Sequence, residues 1–341
     1  MNTYSNHEWK KFFKSRGIKE ELIEEYLKYI SLLNRNKVPI IFEIEHFSYL
    51  TGIKLELLYK MIYGSSCFYR TFYIEKKSSS DFREITVPYP SLKSVQDWIN
   101  KNILSTLKVH YNAHGYVKNK SIKTNAQKHI NQKELYKIDL KDFFPSIGIE
   151  RIINQFKILG YSKNVSFYLA SLCCYNGKLT QGSPTSPTLS NAVTFKLDKR
   201  LTSLAKKNNL IYTRYVDDIG ISGENIHYNL QKLFLEIIKD EGFIVNHKKT
   251  YLNKETSNKR LLAGVSIQEE KLTIPRKMKR KLKQEVYFVS KYGIKSHMLN
   301  IKNKSPYYYE SLLGKLKYWN YIETNSTEAQ ILIKKLEESR T

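Results

Sequence analysis

The sequence predicts an α+β fold, and three observations predict it. Apolar residues recur at helical spacing in several separate stretches. Two pairs of β-prone runs, each joined by a short polar tip, have the pattern of antiparallel hairpins. Helix-patterned and strand-patterned stretches are mixed along 341 residues with no internal repeat and no long low-complexity linker. A chain of that length exceeds what one hydrophobic core usually serves, so two or three subdomains are expected.

Residues 20–33 place Leu22, Ile23, Tyr26, Leu27, Ile30 and Leu33 on one helical face. Further helices are expected over 41–49 and 54–62. A strand over 68–74, a polar tip with Lys76, Lys77 and Asp81, and a return strand over 82–87 make the first hairpin, closed by Pro88 and Pro90. An amphipathic helix spans 92–107. A strand over 135–140 ends in acid, and helical pattern resumes over 149–175. Residues 179–187 are rich in turn formers and open a helix over 188–206. The second hairpin joins 210–215 to 219–222. A helix over 228–240, a strand over 242–246 and a last strand over 261–267 follow. From Pro275 the chain is helical and strongly basic.

Composition narrows the partners. Lys plus Arg number 57 against 32 Asp plus Glu, a formal charge of +25. That excess raises self-repulsion and favours a polyanion. The 26 tyrosines, interleaved with Lys and Arg, suit base stacking beside phosphate contacts, or simply fill core. No apolar run approaches a membrane span, and Met1 to Lys14 has no signal-peptide core, so a cytoplasmic protein is expected. Cys67, Cys173 and Cys174 lack Cys-x-x-Cys spacing and are expected to be buried free thiols in a reducing compartment.

The chemistry concentrates at Asp217-Asp218, on the tip of the second hairpin. Adjacent carboxylates raise each other's pKa unless a cation sits between them. On a stiff scaffold they suit the hard cation Mg²⁺; alone, such a pair is as readily a solvated turn. Asp139, 78 positions earlier and also at a strand end, is a third acid. Three carboxylates at one point would make a two-metal site, able to activate a hydroxyl and neutralise a pyrophosphate leaving group.

These segments, in this order, resemble a reverse transcriptase. Asp139, followed five residues later by Phe144, matches the first catalytic motif. Gln181-Gly182 with Ser186-Pro187 matches the template- and nucleotide-contacting loop. Tyr215-Val216-Asp217-Asp218 matches the Tyr-x-Asp-Asp box. Gly242 through Asn246 to Lys249-Thr250 matches the fourth palm motif, and Leu262-Ala263-Gly264-Val265 the palm–thumb border strand. Within that family the chain is similar to bacterial retron enzymes. Asn125-Ala126-Gln127-Lys128-His129 matches their Asn-Ala-x-x-His element, and Asn112-Ala113-His114-Gly115-Tyr116 their His-Gly-aromatic segment. Two positions depart. Leu262-Ala263-Gly264 stands where retron enzymes carry Val-Thr-Gly, and Val216 where they often carry Ala.

The resemblance implies a right-hand polymerase: an N-terminal helical extension over 1–65, fingers over 66–135 and 150–180, a palm over 136–149 and 181–268 whose antiparallel sheet carries the catalytic Asp residues, and a basic helical thumb over 269–341. It implies RNA-directed DNA synthesis with Asp139, Asp217 and Asp218 catalytic and holding two Mg²⁺ ions. Asp142 is expected to be a local hydrogen-bonder. Lys76 (with Lys77 as competitor), Arg83, Phe144, Gln181, Gly182 and Lys249 (with Lys248 adjacent) are expected at the incoming dNTP. Phe144 would exclude a ribose 2′-OH, with Phe143 the core ring, and Lys249 would protonate the pyrophosphate. Asn125 and His129, taken as i and i+4 on one helix face, join His114, Arg276, Lys277, Arg280 and Lys283 as expected RNA contacts, against the alternatives of capping, core or solvated surface. Tyr307 to Tyr309 and Tyr318-Trp319 are expected to stack on bases or fill the thumb. The family further implies a cognate structured non-coding RNA, priming from a guanosine 2′-OH to give branched RNA–DNA, its cDNA product, a role in antiphage defence with a separate effector protein, and no endonuclease, maturase or RNase H domain. Two alternatives stand: another bacterial reverse transcriptase, intron-like or defence-associated, and a catalytically silent RNA-binding scaffold.

Overall fold

The computed structural model describes residues 5–75, 82–254, 260–268 and 270–339. The chain divides into two units, Met1–His110 with Lys141–Lys199, and Tyr111–Leu140 with Arg200–Thr341.

In the first unit, Ser5 and Glu8 form a capping box that starts the helix Asn6–Ser15. The stripe expected over 20–33 forms the helix Glu20–Arg35, which buries Ile23, Ile30 and Leu33 but leaves Leu22 exposed. Phe13, Ile23 and Ile30 make a small core that Trp9, Tyr26 and Phe42 pack against. Helices Ile44–Thr51 and Leu55–Tyr63 follow. Strands β1 (Tyr69–Glu75) and β2 (Phe82–Pro88) pair antiparallel, Tyr69 opposite Pro88 and Ile74 opposite Arg83. The helix read as one over 92–107 ends at Asn102 and closes with a 3-10 turn, Leu104–Thr106.

Two other long helices are also split. The pattern over 149–175 forms Ile149–Ile158 and Lys163–Cys173. Gly160 interrupts it at φ +102°, packed so closely on Leu32 that a Cβ would lie 2.8 Å from Leu32 Cγ, and Ser162 caps the second helix. The pattern over 188–206 breaks at Thr194, between Ser186–Val193 and Phe195–Lys207. A buried amide ties this unit together. Gln96 Nε2 donates to Tyr69 Oη at 2.7 Å and to the Leu172 carbonyl at 2.8 Å, and its Oε1 accepts from Ser183 Oγ at 2.7 Å. Cys173 and Cys174 are buried as expected, but Cys67 is exposed, on a short 3-10 turn before β1.

In the second unit, β3 (Glu134–Asp139), β4 (Ile211–Tyr215), β5 (Asp218–Gly223) and β6 (Tyr251–Asn253) form one antiparallel sheet in the order β4-β5-β3-β6. The strand expected over 242–246 does not form. Tyr251–Asn253 takes the edge of β3 instead, and only Val245 makes a single bridge, to Leu140. The continuous strand expected over 261–267 is a tight hairpin. Ala263 and Gly264 both adopt positive φ, between β7 (Leu261–Leu262) and β8 (Val265–Ile267), and β9 (Leu272–Thr273) completes a three-stranded sheet.

The core of this unit gathers Leu262, Val265 and Ile267 with Val286, Leu312, Leu316 and Trp319. The last four lie on the helices Arg276–Tyr292 and Tyr308–Ile322. Tyr308, Tyr309 and Trp319 are therefore core, and Tyr307 alone of the Tyr triplet is well exposed. Trp319→Ala is expected to lower unfolding stability by about 3–5 kcal/mol, the range for a buried aromatic. Lys334→Ala, at the exposed i,i+4 pair with Glu338, should cost less than about 1 kcal/mol. Chemical denaturation of the two variants checks the ordering.

Candidate active site

The acids sit where the sheet register puts them. Tyr215 pairs with Asp218 across β4 and β5, so Val216 and Asp217 are the whole loop. Asp139 pairs with Asp218 across β3 and β5, which sets their Cβ atoms about 5 Å apart. All three carboxylates thus come to one end of one sheet.

The loop is strained. Val216 has φ +60°, a left-handed conformation that disfavours a β-branched residue. Strain of this kind costs on the order of 1–3 kcal/mol and persists only where the surroundings enforce it. Here they do. Arg214 is 0% exposed, and its guanidinium donates to the Val216 carbonyl at 3.0 Å. Leu140 N donates to the Asp217 carbonyl at 3.0 Å. The segment Asn112 to Gly115 runs beside β4, with Arg214 N donating to Asn112 O at 2.9 Å and His114 N to Arg214 O at 2.8 Å. Gly115 then lies so close that a Cβ would stand 2.7 Å from Val216 N. Only glycine allows that approach.

Burial and the neighbouring charges set the electrostatics of the acids. Burial, then the charges of Asp218 and Asp139, push the Asp217 carboxyl up to about 6. Burial likewise raises Asp218, against the lowering effect of Lys137. Lys137 Nζ stands 2.8 Å from Asp218 Oδ1, with both side chains largely buried. Burial works against the ammonium, but the charge and hydrogen bond of Asp218 outweigh it, and the Lys137 pKa ends above its usual value. Lys249 Nζ lies 3.4 Å from Asp139 Oδ2 and is about half exposed. Asn246 Nδ2 donates to Asp139 Oδ1 at 3.1 Å, Asn246 N to the Asp139 carbonyl at 2.8 Å, and Asp139 N to Thr250 Oγ1 at 3.3 Å.

Clustered carboxylate oxygens, one pushed up to about 6 by burial and then by its acidic neighbours, are the donor type Mg²⁺ takes. The fit is one of donor chemistry and not of a preformed shell. Among the described residues no three His, Cys, Asp or Glu side chains gather closely enough to hold an ion as they stand.

Of the other expected nucleotide contacts, Lys76 lies outside the described residues. Arg83 is exposed on β2. Gln181 and Gly182 are fastened to that same strand: the Gln181 carbonyl accepts from Thr86 N at 3.0 Å, and a Cβ on Gly182 would stand 2.5 Å from Val87 Cγ1. The first unit therefore brings Arg83's strand and the Gln181-Gly182 loop together. Phe144 is 5% exposed, its ring 5.4 Å from that of Phe143, so both rings of the pair are buried and not Phe143 alone. Asp142 takes φ +46° in a tight turn, its carbonyl accepting from Ser146 N.

The RNA contacts expected of Asn125, His129 and His114 need correction. All three are buried, at 0%, 1% and 4% exposure. His129 lies beyond the end of the helix Ile122–Gln127, so the expected shared helical face does not exist. Its imidazole is bonded to Ser222 and Thr213, and His114 Nδ1 is bonded to Thr124 Oγ1 at 2.9 Å. Arg276, Lys277, Arg280 and Lys283 are exposed on Arg276–Tyr292, although Lys283 is ion-paired with Glu328. Sequence reasoning missed Lys137, Asn246 and Arg214. Lys137 had a signal, since it stands two residues before Asp139 and shares its strand face.

The family description "Reverse transcriptase (RNA-dependent DNA polymerase)" matches residues 74–274. With the antiparallel sheet and its helices, that match defines the class: an RNA-directed DNA polymerase of right-hand fold, which works on an RNA template with dNTPs and divalent metal. Retron Ec86 reverse transcriptase of Escherichia coli is 34% identical over 268 residues, covering 78% of this chain and 83% of the relative. Retron Ec73 reverse transcriptase, also of Escherichia coli, is 31% identical over 265 residues, 69% of this chain and 83% of the relative. Retron Mx65 reverse transcriptase of Myxococcus xanthus is 34% identical over 219 residues, 58% of this chain and about half (51%) of the relative. The chain belongs to the retron reverse transcriptases. No helix among the described residues is long and apolar enough to cross a membrane.

Two outcomes follow from this geometry. Asp217 binds its proton more tightly folded than unfolded, so its contribution to stability falls as pH rises from about 4 through about 6 and stays low above. Asp217→Asn should therefore stabilise the metal-free protein at pH 7.5, on the order of 1–3 kcal/mol, with a smaller gain near pH 4.5. Thermal melts in EDTA at both pH values measure it, and added Mg²⁺ should raise the wild-type midpoint more than the variant's. Gly115→Ala forces the Val216 backbone to move and should cut polymerase turnover at least about tenfold, read as the initial rate on a primed RNA template.

Proposed function

We propose that this protein copies part of a cognate structured non-coding RNA into DNA, with Asp139, Asp217 and Asp218 as its catalytic carboxylates. The carrying observation is the convergence of those three acids at one end of the β4-β5-β3-β6 sheet, with the Asp217 carboxyl pushed up to about 6 by burial and then by the neighbouring acids. Asp139, Asp217 and Asp218 would hold two Mg²⁺ ions, which lower the pKa of the attacking hydroxyl and neutralise charge on the pyrophosphate. The protein's own groups do the rest. Lys137 and Asn246 orient Asp218 and Asp139. Lys249, with its ammonium beside Asp139 and half in solvent, would give a proton to the pyrophosphate.

Lys76, Arg83, Phe144, Gln181, Gly182 and Lys249 are proposed as dNTP contacts. Arg83 suits phosphate through its forked donors, and the glycine at 182 permits close backbone approach. For Phe144, excluding a ribose 2′-OH requires only one edge of the buried ring to face the sugar. Arg276, Lys277, Arg280 and Lys283 are proposed to grip RNA phosphates by charge and shape. The proposed division is helical extension 1–65, fingers 66–135 and 150–180, palm 136–149 and 181–268, and thumb 269–341. Priming from a guanosine 2′-OH to give branched RNA–DNA, antiphage defence and a separate effector protein rest on family membership.

Asp217→Asn and Asp218→Asn should each abolish cDNA synthesis while the protein still co-purifies with its RNA. Sequencing the bound nucleic acid, with a test for a 2′-linked branch, reads both points. Unchanged cDNA yield from either variant would sink the catalytic assignment, and unbranched product would sink the priming proposal.

A further inference from the structure

One buried imidazole joins the two strands that present Asp217 and Asp218. His129 Nδ1 lies 2.6 Å from Ser222 Oγ on β5, and Nε2 lies 2.7 Å from Thr213 Oγ1 on β4. A neutral imidazole offers one donor and one acceptor, and each hydroxyl can serve as either, so both bonds can form at once. Burial, and after it the neighbouring His114, pushes the ring down to about 3, which keeps it neutral at working pH. The fit is tight. Gly220, paired with Thr213 across the hairpin, leaves room for the ring, and a Cβ there would stand 2.9 Å from Nε2.

The residues before His129 anchor it. Ala126 belongs to the core with Leu262 and Val265. Thr124, on the same short helix, bonds to His114, whose backbone N–H donates to the Arg214 carbonyl. Arg214 in turn holds the Val216 carbonyl. The Asn125–His129 and Asn112–Tyr116 segments thus meet the catalytic hairpin at four places: Ser222, Thr213, Arg214 and Val216. A polar network of this kind fixes one arrangement where an apolar filler would allow several.

We propose that His129 is a positioning residue for nucleotidyl transfer, its paired hydrogen bonds to Thr213 and Ser222 fixing the hairpin that carries Asp217 and Asp218. The proposal rests on the catalytic assignment of those two acids. His129 touches neither substrate nor metal. Its effect is geometric, and small displacements of reacting groups cost large factors in rate.

The test uses the full chain and a primed homopolymer RNA template, which removes any need for cognate RNA. His129→Phe keeps the ring volume and loses both bonds. It should lower kcat about 10- to 100-fold with KM for the dNTP changed less than about twofold. His129→Gln, with an amide donor and acceptor, should recover most of that loss. Thr213→Val with Ser222→Ala, leaving the histidine in place, should reproduce it. Rates are referred to the folded fraction from circular dichroism. His129→Phe with kcat within about twofold of wild type overturns the proposal, whether the variant then shows a lowered melting point alone or weakened cognate RNA binding alone. If His129→Phe does not fold, the Thr213/Ser222 double variant decides by the same kcat criterion. Activity retained in Asp217→Asn is a separate result, and it would remove the catalytic assignment beneath the proposal.

Discussion

Repulsion between carboxylates is the constraint around which the second unit is arranged. Asp217 and Asp218 are adjacent in the chain, and Asp139 faces Asp218 across the sheet. No packing of apolar residues relieves that repulsion; only cations or protons do. Among the described residues two ammonium groups pair with these acids, Lys137 and Lys249, and they differ in kind. Lys137 is largely buried beside Asp218, so it is a fixed countercharge. Lys249 is half in solvent beside Asp139 and free to exchange partners at low cost. For the proposed chemistry the two would serve differently, one as a charge that stays and one as a charge that can change partners.

The backbone answers a second constraint, that a two-residue loop must present acids and still hold still. Val216 is a poor residue for φ +60°, and its strain is offset by contacts from three directions in sequence: Arg214, Leu140 and Gly115. Burying a guanidinium is costly unless its donors are used. Arg214 uses one on the Val216 carbonyl, and its own backbone carries the Asn112–His114 segment. Stability is thereby committed to the rigidity of the loop. A solvated Asp-Asp turn would need none of these contacts, which is the physical ground for rejecting the bland reading of the pair.

The legible and illegible parts of the site divide by range. Asp139, Asp217 and Asp218 were visible because acids at strand ends flanked by β-prone runs are local patterns, and the order of motifs carried the resemblance. Lys137 was equally local and was overlooked. Arg214 was not singled out, and His129 was singled out by its motif but as an RNA contact. Their burial depends on segments about 90 to 100 residues away that settle against β4 and β5 only in the fold. The 242–246 segment is a β-prone run, Phe243-Ile244-Val245, but only Val245 bridges, to Leu140, and Tyr251–Asn253 supplies the strand that pairs with Leu135–Lys137. The helix break at Gly160 had a local signal, a glycine followed two residues later by the Ser162 N-cap, which the continuing apolar stripe masked.

The charge excess has to be divided before it says anything about RNA. A net +25 invites the view that every lysine faces a phosphate, and the structure shows several otherwise engaged. Lys137 and Lys249 face the acids. On the helix Arg276–Tyr292, Lys279 pairs with Glu323, Lys281 with Glu285 and Lys283 with Glu328. Lys279 also lies over the Trp319 ring at 5.1 Å, so part of its work is holding that core. Arg276, Lys277 and Arg280 on the same helix are exposed and enter no ion pair among the described residues. A polyanion docking here meets those three at no cost in broken pairs, whereas Lys281 and Lys283 must first leave carboxylates. The Lys283–Glu328 pair is exposed on both sides and weak enough to be exchanged for phosphate, whereas Glu285 is largely buried and holds Lys281 more firmly.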